Sequence, residues 1–182
     1  MNTRKAAIFS LAALLAAAAA QQAVGQPTYF VAPLAGGGSD ANSGASGSPW
    51  LTLQRAANAV AAGDNVVIAA GTYVGFNVGR SGLPGQPISF LAQPGVIVNA
   101  PAATFNGTAH KARINLDSVS WIVIDGFEVV GTNDLRDSKA GIRIVAPPNS
   151  SFGNITIRNN FMHHNGQWGL LTGHVGNLTV EN

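Results

Sequence analysis

Trp121-Ile122-Val123-Ile124-Asp125-Gly126-Phe127 decides the fold, because the chain repeats it. The phrase returns as Asn154-Ile155-Thr156-Ile157-Arg158-Asn159-Asn160-Phe161 and begins again as Asn177-Leu178-Thr179-Val180-Glu181-Asn182, at offsets of 33 and then 23 residues. A second phrase keeps the same beat. Ala112-Arg113-Ile114-Asn115-Leu116, Gly141-Ile142-Arg143-Ile144-Val145 and Gly169-Leu170-Leu171-Thr172-Gly173 follow one another in steps of 28, counted from Ile114 to Ile142 to Leu170. Apolar residues alternate with others inside each phrase, which is the period of a strand, and Gly and Asn punctuate the joins. Self-similarity at such a spacing marks a solenoid. The expected fold is all-β: a parallel β-helix of four to five rungs. Its long flat faces suit a polymeric ligand.

Residues 1–25 stand outside that fold. Arg4 and Lys5 precede an uncharged run from Ala6 to Ala20, and small residues follow. This is the pattern of a secretory signal peptide, with exits after Ala20 or Gly25, the second being the expected one. The run is shorter than the roughly 20 residues a membrane span needs. A secreted or periplasmic protein without a permanent membrane span is therefore expected. Ten basic residues less Arg4 and Lys5 leave eight, against eight acids, so the mature part is formally neutral. Without a basic stripe there is no electrostatic footprint for nucleic acid. The absence of cysteine rules out disulfides and thiolate chemistry.

Three segments organise the chain: the leader at 1–25, an N-terminal strand, loop and capping helix at 26–64, and rungs from 65 to 182. Tyr29-Phe30-Val31-Ala32 reads as a strand, and Gly36 to Gly44 as a flexible loop. From Thr52 to Ala62 the spacing predicts one amphipathic helix, with Leu53, Ala56, Ala57, Val60 and Ala61 on one face and Gln54, Arg55 and Asn58 on the other. Thr52, or Ser48 with Pro49 at the first helical position, caps its start and Gly63 ends it. Such a helix covers the first rung, whose open edge would otherwise recruit other chains. Pro101 to Lys111 reads as a loop. Asn159 and Asn160 suit left-handed strand ends and side-chain stacking along the coil. The sequons at Asn154 and Asn177 are repeat grammar, whereas those at Asn106 and Asn149 lie in loops. Asn182 falls within a rung, so the expectation is the front part of a longer protein.

The opening from Tyr29 onward resembles a known formula: Tyr29-Phe30-Val31-Ala32-Pro33, Gly38-Ser39-Asp40-Ala41-Asn42-Ser43-Gly44, Ser48-Pro49-Trp50-Leu51-Thr52-Leu53-Gln54-Arg55-Ala56, Ala62-Gly63-Asp64-Asn65-Val66-Val67-Ile68 with Gly71-Thr72-Tyr73, and Ser81-Gly82 with Gly85-Gln86-Pro87-Ile88. In this order and spacing it resembles the N-terminal part of family 9 polysaccharide lyases and related secreted β-helix proteins of the pectin-lyase-like superfamily. The resemblance implies a right-handed parallel β-helix, an acidic polysaccharide such as pectate as partner, β-elimination as the reaction, a calcium ion held by several Asp side chains, and a Lys base.

Asn133-Asp134-Leu135-Arg136-Asp137-Ser138-Lys139 is the acidic-basic cluster downstream of the opening, but it lacks the family's repeated Asp-Gly and paired-Asp pattern. No catalytic residue of the family transfers onto a position here. The candidates are accordingly Asp134 and Asp137 as calcium ligands, Lys139 as base, and Arg136, Arg143 and Trp168 for the polysaccharide. Carboxylate oxygens suit calcium, Arg pairs with uronate in bidentate fashion, and Trp stacks on a sugar ring. With Ile142 and Ile144 inward, Arg143 points outward, above Arg113 or Asn115. His163 and His164 are adjacent and, in extended backbone, point to opposite sides. His174 resembles the Gly-His of polygalacturonases, but no adjacent Asp pair precedes it, which disfavours hydrolysis. The expected function is β-elimination by a monomer; the alternative is a non-catalytic β-helix module for glycan binding or surface interaction, or a fragment without the catalytic rungs.

Overall fold

The computed structural model describes residues 25–105, 107–134, 136 and 139–182; the leader expected at 1–25 lies outside it except for Gly25. Among the described residues the protein is all-β, with fourteen strands and one α-helix. β1 (Thr28–Val31) is followed by a single 3-10 turn at Leu34–Gly36 and α1 (Leu53–Ala59). Then come β2 (Asn65–Ile68), β3 (Gly71–Val74), β4 (Phe76–Val78), β5 (Ile88–Ala92), β6 (Val96–Ala100) and β7 (Ala112–Asp117). The remainder are β8 (Ile122–Asp125), β9 (Glu128–Val130), β10 (Ala140–Val145), β11 (Gly153–Arg158), β12 (Phe161–His163), β13 (Trp168–Gly173) and β14 (Gly176–Glu181). No helix among the described residues is long and apolar enough to cross a membrane.

The strands form three sheets: β1-β2-β5-β8-β11-β14 (the first), β3-β6-β9-β12 (the second) and β4-β7-β10-β13 (the third). All their pairings are parallel. From β2 onward, neighbours in a sheet are three strands apart in the chain, an order consistent with a β-helix or solenoid. The quoted phrases pair as the repeat predicts, Ile122 with Ile155 and Ile124 with Ile157. The apolar residues of each strand stack into files. Val66, Phe90, Ile124 and Ile157 form one file in the first sheet; Phe76, Ile114 and Ile142 form another in the third. All seven are buried in a single hydrophobic cluster. Phe76 touches Phe90 and Phe127 at 5.0 and 6.2 Å between ring centres, joining the third sheet to the first and to the turn before β9. Burying such side chains contributes roughly 1.5–3 kcal/mol each.

Left-handed residues make the corners. Trp121 directly precedes β8, and Asn154 and Asn177 are the second residues of β11 and β14; their φ values are 60°, 57° and 48°. Gly126 and Asn159 turn the chain from the first sheet into the second. A Cβ on Gly126 would come within 2.6 Å of the Ala92 carbonyl oxygen, so that corner needs glycine. Asn160 does not stack on another Asn. Its Oδ1 accepts from the Phe127 amide at 2.9 Å, and its Nδ2 donates to the carbonyls of Ile124 and Arg158. Asn side chains do stack elsewhere, Asn177 on Asn154 at 3.2 Å and Asn115 on Asn77 at 3.0 Å.

The N-terminal segment departs from expectation in two ways. Residues 36–44 are tied down. Both oxygens of Asp40 are engaged, by the amides of Leu51 and Thr52 and by the Thr52 hydroxyl. Asn42 donates to the carbonyls of Gly37 and Pro49 and takes the Trp50 indole N–H on its own carbonyl. Helix α1 is also shorter than the predicted 52–62. Thr52 Oγ1 caps it by accepting from the Arg55 amide, but at Val60 the backbone is already extended. Buried Asp64 explains the early end, because its carboxylate takes the Ala61 amide at 2.7 Å and closes a turn there. The helix lies against β4, the outer strand of the third sheet. The Gln54 amide supplies what a neighbouring strand would, accepting from the Asn77 amide at 2.8 Å and donating to its carbonyl at 3.1 Å. Gln54, assigned by periodicity to the solvent face, therefore satisfies an open sheet edge.

Candidate functional site

Alternation sends Ile114, Leu116, Ile142 and Ile144 inward, so Asn77, Asn115 and Arg143 fall on the outer face of the third sheet. The register stacks them directly, Asn77 with Asn115 and Asn115 with Arg143. The residue beneath Arg143 is thus Asn115 and not Arg113. Arg113 is fully buried, donating through Nε to the Val130 carbonyl at 3.0 Å and through a terminal nitrogen to Asn99 at 3.3 Å.

One polar chain runs across this face. Asn77 donates to the Ala103 carbonyl at 3.0 Å, which holds the loop between β6 and β7 over the sheet. Asn115 Nδ2 donates to Asn77 Oδ1 at 3.0 Å, and Asn115 Oδ1 accepts from Arg143 at 2.7 Å. The same guanidinium nitrogen reaches Asp117 Oδ2 at 3.2 Å. His110, at the end of the loop, brings Nε2 to 3.9 Å from that oxygen. Asn115 is wholly buried, while Arg143 keeps 15% of its side chain exposed. The His110 pKa is lowered, first by desolvation and next by the Arg143 charge, with Asp117 opposing. A neutral imidazole beside a guanidinium is the result. Chemically, such a pair can hold a carboxylate and take a proton from a carbon next to it.

The sequence candidates are distributed around this face. Lys139, exposed, stands just before β10 at outward parity with Arg143; its amide donates to the Lys111 carbonyl at 2.9 Å, so the two lysines occupy equivalent places one rung apart. Trp168 donates its amide to the Lys139 carbonyl, but it is in register with Ala140, which is buried. It extends the inward file and is 39% exposed, so it does not share the face of Arg143. Arg136 and Asp134 lie in the loop before β10, where Asp134 Oδ1 accepts the Arg136 amide at 2.8 Å. Asp137 lies outside the described residues. Among the described residues no three His, Asp or Glu side chains group to hold a metal. Asp134 alone does not fit a calcium ion, which takes six to eight oxygens, and no step below is routed through one.

His163 and His164 do not point apart. His164 adopts φ 54°, and this left-handed turn sets the rings 4.8 Å apart with their Nδ1 atoms in contact. His163 Nε2 also meets Glu128 Oε1 at 3.1 Å. Sequence reasoning missed Asn77, His110 and Asp117. The 28-residue step carried a signal for Asp117, two places beyond the residue below Arg143; His110, in a loop, left none.

No protein-family model and no curated protein matches the chain. Among solved structures it is similar to a rhamnogalacturonan lyase, 28% identical with a TM-score of 0.51, over 74% of this chain and 36% of that one. It is also similar to the GH136 lacto-N-biosidase from Eubacterium ramulus, 14% identical with a TM-score of 0.57, over 85% and 34%. The chain spans about a third of the length of either, and the second likeness bears on fold alone.

Proposed function

We propose that this chain is part of an exported, carbohydrate-active right-handed parallel β-helix protein, and that it acts by β-elimination on uronate-containing polysaccharide. The observation that carries the reading is the convergence of His110, Asp117 and Arg143 on one outer face. The likeness to a portion of a rhamnogalacturonan lyase and the leader expected from the sequence at 1–25 support it.

In this reading Arg143 pairs with the uronate carboxylate. Charge that develops there as the C5 proton departs is stabilised by the guanidinium. Neutral His110 takes that proton, oriented by Asp117 as substrate closes the 3.9 Å gap. The C5–H electron pair becomes the C4–C5 double bond, the C4–O bond breaks, and the leaving oxygen is protonated by the imidazolium or by water. Lys111 and Lys139 extend the positive edge along which further uronates lie. Calcium remains a requirement implied by the family resemblance and would need ligands beyond Asp134.

A specific observation favours a second reading, a non-catalytic glycan-binding module: Arg143 is already engaged by Asp117 and Asn115. Incubation with polygalacturonate and rhamnogalacturonan, with and without Ca²⁺, separates the two. The first reading expects ultraviolet absorbance from unsaturated ends, reduced about a hundredfold in Arg143→Met. Retained binding with no absorbance from the wild type supports the module.

A further inference from the structure

The first sheet has an outer face that the reaction does not use. A groove of about 330 Å³ crosses it, lined by Trp121, Val123, Asn154, Thr156, Asn177 and Thr179, with Pro87 beside them. Three rungs contribute in register, because Val123, Thr156 and Thr179 stack, and each follows by two places a left-handed corner residue: Trp121, Asn154 or Asn177. The same position is thus written Asn-X-Thr twice and Trp-Ile-Val once. Asn suits the left-handed corner; Trp, bulky and at φ 60°, does not. Backbone strain of this kind persists where something else is gained from the side chain.

We propose that this groove binds neutral sugar residues of the same polysaccharide, with Trp121 as the stacking platform; the proposal rests on the carbohydrate reading above. Among the described residues no charged side chain lines the groove, in contrast to the Arg143 face. The apolar C–H face of a pyranose covers an indole, and its hydroxyls meet amides and hydroxyls that both donate and accept. Asn177 Nδ2 donates to Asn154 Oδ1, which leaves the Asn154 amide nitrogen and the Asn177 oxygen for a ligand. The polar pairs repeat at the rung spacing of roughly 4.8 Å, offering consecutive sugars equivalent contacts.

Trp121→Asn tests this without threatening the fold, since it installs the residue the next two rungs carry at that corner. The probes are galactan, arabinan and dextran as neutral polymers and polygalacturonate as the acidic one, followed by affinity electrophoresis at low and high salt. The wild type is expected to bind at least one neutral polymer with little salt dependence, and Trp121→Asn to weaken it about tenfold. Polygalacturonate binding is expected to survive Trp121→Asn and to fall with Arg143→Met. Equal neutral binding by wild type and Trp121→Asn, or polygalacturonate binding without any neutral binding, overturns the groove and leaves the uronate reading standing. Binding to none of the four polymers overturns both.

Discussion

The outer faces of the first and third sheets are built by the same rule and end up as opposites. On each, every second residue of a strand faces out and stacks on its counterpart one rung away. On the third, the stacked residues are Asn77, Asn115 and Arg143; they bond to one another and to the covering loop, so that Asn115 is wholly buried. On the first, Val123, Thr156 and Thr179 lie along an open groove whose described lining residues are uncharged. The difference teaches that outward does not mean exposed. The loop between β6 and β7, held through Ala103, turns one outer face into a second polar interior.

The largest effect expected from that contrast is on stability. Asn115→Leu strips Asn77 of its donor and Arg143 of an acceptor at a wholly buried position, at a cost of about 3 kcal/mol. The matching change on the other face, Thr156→Val, is expected to cost less than about 1 kcal/mol. Chemical denaturation of the two variants measures both. Comparable losses would erase the distinction between the faces.

A smaller effect follows from His110. Its folded pKa is below 6.5, so between that lowered value and 6.5 the unfolded chain binds more protons than the folded one, and stability rises with pH. The contribution is fully present above 6.5 and is lost as pH falls through that window. His110→Gln is expected to flatten this part of a stability-against-pH curve. An unchanged slope would mean that neither the loop nor Arg143 perturbs the imidazole. The smallest effect belongs to the open face: Trp121→Asn is expected to leave the unfolding free energy within about 0.5 kcal/mol or to raise it slightly by relieving the corner. A large loss would show that the indole is packing and not a platform.

The rungs were legible in the sequence because each strand has to present the same aliphatic file to its neighbours, and Ile114, Ile142 and Leu170 record that at a constant step. The step of 28 that carries Ile114 onto Ile142 also carries Asn115 onto Arg143, but it gives no sign that Arg113, of equal outward parity, is buried and held by the carbonyls of Val130 and Asn99. His110 was invisible, being placed by a loop that follows no period. The two histidines at 163 and 164 were misplaced because an extended backbone was assumed where His164 is left-handed. Asp40 and Asn42 read as a flexible loop because their partners, Leu51, Thr52 and Pro49, are set by tertiary contact and not by local propensity.

Both faces depend on successive turns of chain stacking in one register, and the absence of native cysteine makes that directly measurable. Asp117 and Val145 are partners across β7 and β10. As a cysteine pair they would sit at roughly the 4.8 Å strand spacing, within reach of a disulfide. Asp117→Cys with Val145→Cys is expected to cross-link rapidly on mild oxidation, and Asp117→Cys with Arg143→Cys, two residues out of register, to stay reduced. Cross-linking of the second pair in preference to the first would contradict the stacking on which the account is built.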